Sequence, residues 1–141
     1  MLNLNMQQSG LCDIQGRLFE LALKNGYDCK EFIEKFMNSN AAAALDRTYD
    51  RLQWAGEEYI LEELNEEFGG LPRAGVTYHN EIIYWAGYTY RLWHYYTSES
   101  STEIYATAPV ETMATGYLGL HTLDVTMAID RLKESNSLST D

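Results

Sequence analysis

The stretch EIIYWAGYTYRLWHYY at residues 81–96 decides the fold. Its sixteen residues contain no Pro and no strict polar–apolar alternation, and they exceed the roughly 3–10 residues of an ordinary strand. Aromatic and aliphatic side chains fall on nearly every side of a helix built from this stretch. It therefore predicts a central helix around which the rest of the chain packs.

Segments on both sides of this helix show apolar residues at helical spacing, separated by capping and turn signals. Gly26 is typical of a helix end, and Asp28 with Glu31 is typical of a helix start. These further helices are predicted at residues 11–22, 28–37, 39–45, 50–68, 100–108, 110–118 and 124–134, with a loop at 71–78. We predict an all-α fold: one compact bundle of about six to eight helices at residues 1–134, followed by a disordered polar tail at 135–141.

The chain is acidic, with a formal net charge of −11 and a pI of about 4.6. Each Lys or Arg stands alone in the sequence, so no basic cluster offsets this charge. Phosphate backbones and anionic lipid surfaces would be repelled. The charge therefore predicts no nucleic-acid partner and no membrane association, and it favours a basic protein as the partner.

The cysteines and the N-terminal sequence bear on location. Cys12 and Cys29 are too few for a disulfide framework, which predicts two reduced thiols in the core. The N-terminus lacks the pattern of a signal peptide, and no apolar run is long enough to cross a membrane. We predict a cytoplasmic protein.

Six glutamates crowd the predicted helix at residues 50–68. Glu58 and Glu62 are four residues apart and share one face, while Tyr59 is predicted to face the core. Such an anionic stripe is typical of a solvated surface, and it also suits docking of a basic partner. The predicted partner-binding residues are Glu58, Glu62, Glu63 and Glu66.

Polar residues within and after the aromatic helix allow two interpretations. Arg91 and His94 can serve as hydrogen-bonding partners for buried Tyr and Trp side chains. Alternatively, the planar fork of Arg91 can hold a small anionic or aromatic ligand among tyrosines. The ligand-binding residues in the second interpretation are Tyr84, Tyr88, Arg91, His94, Tyr117 and His121.

Catalytic and cofactor signatures are absent from the sequence. There is no P-loop, GxGxxG, HExxH, GxSxG or CxxC motif, and no histidine has Glu three residues before it. His121 and Asp124 could take part in acid–base chemistry, but a histidine and an aspartate near a helix start commonly serve the cap alone. We predict no catalytic residues, no metal site and no cofactor.

Several residue runs resemble a family of small acidic helical proteins from gut-dwelling Gram-positive bacteria that have no established activity. The runs are ALD at 44–46, RLQWAGEEY at 51–59, YWAGYTYRLWH at 84–94, ESSTEIY at 99–105 and HTLD at 121–124. The resemblance implies a bacterial origin and one helical domain over about residues 43–134. It also suggests a loose association with toxin–antitoxin-like gene pairs.

Two functional hypotheses follow. The first is a non-catalytic interaction protein, antitoxin-like or regulatory, that binds a basic protein through the acidic helix and through exposed aromatic side chains of residues 81–96. The alternative is a small-molecule binding protein or minor enzyme with a pocket around Arg91, His94 and His121. Homo-oligomerisation stays open.

Overall fold

The computed structural model describes residues 2–139. This part of the chain contains eight α-helices, one short 3-10 helix at Arg51–Trp54 and no β-strand. The α-helices are α1 (Met6–Lys24), α2 (Cys29–Met37), α3 (Asn40–Asp46), α4 (Glu57–Phe68), α5 (Asn80–Thr97), α6 (Ser101–Thr107), α7 (Val110–Leu120) and α8 (Val125–Ser139). The predicted all-α, single-domain bundle is confirmed, and none of these helices is long and apolar enough to cross a membrane.

The aromatic helix α5 lies at the centre of the bundle, as predicted. It packs most extensively against α1 and also contacts α6, α7 and α8. Tyr90 and Trp93 are almost completely buried, and both find polar partners. The Tyr90 hydroxyl donates to the Ala108 carbonyl oxygen at 2.6 Å, and Trp93 Nε1 donates to Glu99 Oε1 at 3.0 Å. The stabilisation gained by burying these rings is therefore not reduced by hydrogen-bond donors that lack a partner.

Helices α1 and α5 touch backbone to backbone. Gly16 and Gly87 face each other, and a Cβ atom added to Gly87 would lie 2.7 Å from the Gln15 carbonyl oxygen and 2.9 Å from Gly16 Cα. A Cβ atom added to Gly16 would lie 2.7 Å from the Tyr84 ring. The absence of side chains at this crossing is what allows the two longest helices of the described chain to approach so closely.

The predicted helix at residues 50–68 is wrong in its first part. Arg51–Trp54 form a 3-10 helix, and α4 begins only after Gly56, whose φ of +84° breaks the helix. The later start changes which side chains face inward. Ile60 is fully buried, whereas Tyr59, predicted to face the core, is 40% exposed.

The last helix is longer than the sequence predicts and takes in residues 135–139 of the predicted polar tail. Helix α8 continues to Ser139, because no Gly or Pro follows Glu134 to end it. Residues 140 and 141 of the predicted tail lie outside the described residues.

Candidate functional site

Arg91 lies in the core and not at the surface of a pocket. Its side chain is fully buried, and each guanidinium nitrogen has a partner. Nε donates to Gln15 Oε1 at 2.9 Å, one terminal nitrogen donates to Asp46 Oδ1 at 2.7 Å, and the other to Ser101 Oγ at 3.3 Å. A guanidinium with these contacts is fully engaged within the protein.

Asp46 balances the buried charge of Arg91. Its Oδ1 also accepts the Ser101 hydroxyl at 2.8 Å, and its Oδ2 accepts the Ser101 backbone N–H at 2.8 Å, at the start of α6. Gln15 in turn donates to the Gly87 carbonyl oxygen at 3.0 Å. We call Gln15, Asp46, Arg91 and Ser101 the polar clamp, since together they join α1, α3, α5 and α6. Arg91 is engaged within the protein, as in the structural interpretation, but its partners are Gln15, Asp46 and Ser101 and not the buried Tyr and Trp side chains.

His94 borders the polar clamp and lines a different cleft from the predicted tyrosines. Its Nδ1 lies 2.6 Å from the Glu99 carbonyl oxygen and 3.8 Å from Asp46 Oδ1. The cleft that it lines runs between the start of α1 and the 47–53 segment, and includes Tyr49 and Tyr95. His94 and Arg91 therefore do not join the other predicted ligand-binding residues.

The other four predicted ligand-binding residues do come together. They line a groove of about 410 Å³ between α5 and α7, and sequence reasoning missed Trp85 as a fifth ring in it. We call this groove the aromatic groove; its lining residues are Glu20, Asn80, Glu81, Tyr84, Trp85, Tyr88, Tyr117 and His121. Its volume is in the range of small-molecule sites, roughly 300–1,000 Å³.

Aromatic contacts fix the walls of the groove. Tyr84 and Tyr88, one turn apart on α5, have ring centroids 6.2 Å apart. Trp85 meets Tyr117 edge to face at 5.6 Å. Tyr117 stacks on His121 at 4.2 Å with an angle of 9° between the rings, and His121 Nδ1 lies 2.6 Å from the Tyr117 carbonyl oxygen. Each ring is therefore held by a neighbour, and the groove is largely preformed.

Carboxylates surround these rings. The Tyr84 hydroxyl donates to Asp13 Oδ1, and the Tyr117 hydroxyl donates to Glu81 Oε2 at 3.4 Å. Burial, together with these carboxylates, raises the pKa of both tyrosines above the ordinary value, so the phenols stay neutral at physiological pH. Glu20 and Glu81 line the groove, while no Lys or Arg is among the described residues that do. An anion would be repelled here.

The predicted partner-binding glutamates lie on the outer face of α4. Glu58, Glu62 and Glu66 are exposed, and within residues 2–139 none of them forms an ion pair. Glu63 is partly buried, and its Oε1 lies 3.7 Å from Arg51. Each pair of like charges four residues apart lowers the stability of a helix by roughly 0.2–0.5 kcal/mol. This stripe therefore destabilises the free protein slightly.

Large aromatic side chains flank the acidic stripe. Trp54 ends the 3-10 helix just before α4 and is 76% exposed, and Tyr59 on α4 is 40% exposed. The Arg51 side chain donates to the Tyr59 hydroxyl at 3.3 Å, which ties the 3-10 helix to α4. The sequence predicts exposed aromatic anchors on residues 81–96, where Tyr96 is 38% exposed but the rings of Tyr90 and Trp93 are buried. The exposed tryptophan lies instead beside the acidic helix.

No metal-ligand cluster of three His, Cys, Asp or Glu residues is found in the part of the chain that the structure describes. Comparisons of this chain with protein-family models, with curated proteins and with solved structures give no match. The acidic stripe of α4 and the aromatic groove are the two candidate functional surfaces of the described chain.

Proposed function

We propose that the protein is a non-catalytic interaction protein that binds a more basic protein through the outer face of α4. We call this face, made of Trp54, Glu58, Tyr59, Glu62 and Glu66, the α4 face. The observation that carries the proposal is the 76% exposed Trp54, four residues before Glu58 in the chain, together with exposed α4 carboxylates that form no ion pair among residues 2–139. Trp and Tyr dominate the binding energy of protein interfaces when they become buried there.

Charge complementarity decides the class of partner. The free carboxylates of α4 add to a formal net charge of −11, which attracts a basic surface and speeds its association. Docked Lys or Arg side chains would also relieve the repulsion between glutamates four residues apart. The partner is therefore a protein with a basic patch that accepts one indole ring at its centre.

An antitoxin-like or regulatory role is consistent with this mode of binding, because such proteins act by covering the surface of a partner. The resemblance to small bacterial helical proteins supports the same role. We place it in the cytoplasm, since Cys12 and Cys29 are both free, buried thiols.

Co-purification from the native host at low and moderate salt tests the proposal. The bait proteins are the wild type, Trp54→Ser, and the triple variant Glu58→Lys/Glu62→Lys/Glu66→Lys. A matched control changes three exposed glutamates elsewhere, Glu34→Lys/Glu111→Lys/Glu134→Lys. Each Glu→Lys change adds two charges, so both triple variants go from −11 to −5.

We expect one basic protein, identified by mass spectrometry, to be retained by the wild type and by the control triple variant. Both α4-face variants should lose it, and moderate salt should weaken its retention by the wild type. Equal loss with the two triple variants would mean that net charge alone is responsible. Retention by Trp54→Ser and by the α4-face triple variant would exclude this face as the interface.

A further inference from the structure

The aromatic groove between α5 and α7 combines two features that favour one class of ligand. Aromatic side chains form most of its lining, and its charged lining residues are Glu20 and Glu81. We propose that the groove binds a small organic cation, an alkylammonium compound whose charged nitrogen lies over the rings. This inference is independent of the α4 face, which lies on different residues.

The rings themselves attract a cation. The negative π faces of Trp and Tyr bind ammonium groups within about 6 Å of the ring centroid, and Trp binds best. Trp85 and Tyr117 both line the groove and meet edge to face, at 80° with centroids 5.6 Å apart, and His121 stacks on Tyr117. Tyr84 and Tyr88 continue the wall along α5. This arrangement resembles the aromatic cages that enclose quaternary ammonium groups.

The hydrogen bonds around the rings strengthen this attraction. Tyr84 and Tyr117 each donate their hydroxyl proton to a carboxylate, Asp13 and Glu81 respectively. A phenol that donates to an anion gains electron density in its ring, which makes its face a better partner for a cation. The same bonds direct the hydroxyl protons away from a ligand over the rings.

The charged residues around the groove disfavour an anionic ligand. Arg91, the group that could hold an anion, is engaged in the polar clamp and does not line the groove. Asn80 Nδ2 donates to Glu20 Oε2 at 2.5 Å, which fixes that carboxylate between α1 and the start of α5. This carboxylate is held beside the aromatic wall, and an alkylammonium group in the groove would supply a counter-charge to it.

Titration with choline, observed by NMR, tests the proposal. The three tryptophans give three indole N–H signals, and their positions differ sharply: Trp85 lines the groove, Trp54 is exposed and Trp93 is buried. The signals are assigned with Trp54→Phe and Trp85→Phe. A neutral molecule of the same shape, 3,3-dimethylbutan-1-ol, serves as the control for charge.

We expect choline to shift the Trp85 indole signal in a saturable way and to bind at least tenfold more tightly than the neutral isostere. Glu81→Gln should weaken choline binding at least threefold, whereas Glu34→Gln, which makes the same charge change at an exposed position on α2, should leave it unchanged. Equal affinity for the neutral isostere, or tighter binding of inorganic phosphate, would overturn the proposal. So would a choline-induced shift of all three indole signals without saturation.

Discussion

The two halves of α5 have similar aromatic composition and opposite environments. Residues 80–88 leave their aromatic side chains half-buried at the edge of a groove, while residues 89–97 include Tyr90, Arg91 and Trp93, which are almost completely buried. The difference comes from what covers each half. Asp46 from α3 and Ser101 from α6 reach the second half and bind Arg91, whereas the open side of the first half is bordered by α7 and by Glu20 of α1. Composition makes α5 a helix, and the neighbouring helices decide which half becomes a site.

The largest expected effect is alkaline unfolding. It is driven by the ionisation of buried phenols and of a buried thiol in and around the second half of α5, residues 89–97. Burial raises the pKa of Tyr95 and Tyr105 to about 12 and that of Tyr90 well above the ordinary value, and it raises the pKa of Cys12 to about 12 as well. In the unfolded chain tyrosines ionise near pH 10. Between pH 10 and 12 the folded state therefore holds more protons than the unfolded state, and stability must fall as pH rises. The contribution of these protonated groups to stability is fully present below the pH at which they ionise in the unfolded chain.

Circular dichroism and tyrosinate absorbance at 295 nm, followed together from pH 8 to 12.5, measure this effect. We expect a large part of the absorbance change to coincide with the loss of helix, since the buried phenols ionise only when the protein unfolds. Full ionisation of all tyrosines with an unchanged helical signal would contradict the burial of these phenols.

The next largest effect is expected from the polar clamp. Arg91→Ala leaves Asp46 without its cation in a nearly buried position, and breaking such a pair costs roughly 3–5 kcal/mol. Arg17→Ala is the matched control, because the Arg17 side chain is 54% exposed and pairs with Glu57 at 2.9 Å on the surface. An exposed pair of this kind contributes at most about 1 kcal/mol.

Urea unfolding of the two variants gives the comparison. If Arg91→Ala is too unstable to purify, Asp46→Asn keeps the shape of the side chain and removes only its charge, and it should still lose more stability than Arg17→Ala. Equal losses for the buried and the exposed pair would show that the polar clamp does not stabilise the fold.

The sequence predicted the groove better than the clamp, and the reason is periodicity. Tyr84 and Tyr88 are one turn apart on α5, so this pair shares a face on sequence grounds alone. Tyr117 and His121 come together because α7 continues to Leu120, beyond its predicted end at residue 118, and His121 caps it. Arg91 continues the stripe of Tyr84 and Tyr88 in the sequence. Its partner Asp46 lies 45 residues away, in a segment predicted to be a break between helices. Contacts between such distant residues depend on tertiary packing, which helical spacing does not reveal.

The α4 face shows a second limit of sequence reasoning. Glu58, Glu62 and Glu66 are exposed as predicted, because charges four residues apart share a face, whereas Glu63 is partly buried and lies near Arg51. The exposure of Trp54 was not predicted, since one continuous helix was drawn through Gly56. A positive φ at that glycine separates the 3-10 helix from α4 and leaves the indole outside the core. The signal was present in the sequence, as a glycine within an otherwise regular apolar pattern.

The smallest of the expected effects concerns the crossing of α1 and α5, on which both halves of α5 depend. Gly87→Ala places a methyl group 2.7 Å from the Gln15 carbonyl oxygen, and backbone atoms cannot move aside as a flexible side chain can. Overpacking of this kind costs roughly 1–3 kcal/mol, against a gain of up to about 1 kcal/mol in helix propensity. Gly10→Ala is the control, because Gly10 is also within a helix but has nothing within 4 Å of its Cβ position.

We expect Gly10→Ala to raise the thermal midpoint slightly and Gly87→Ala to lower it, although both replace a helical glycine with the best helix former. A rise in both midpoints would mean that the two helices can separate at little cost, and the close backbone contact would then not be what holds α5 at the centre of the bundle.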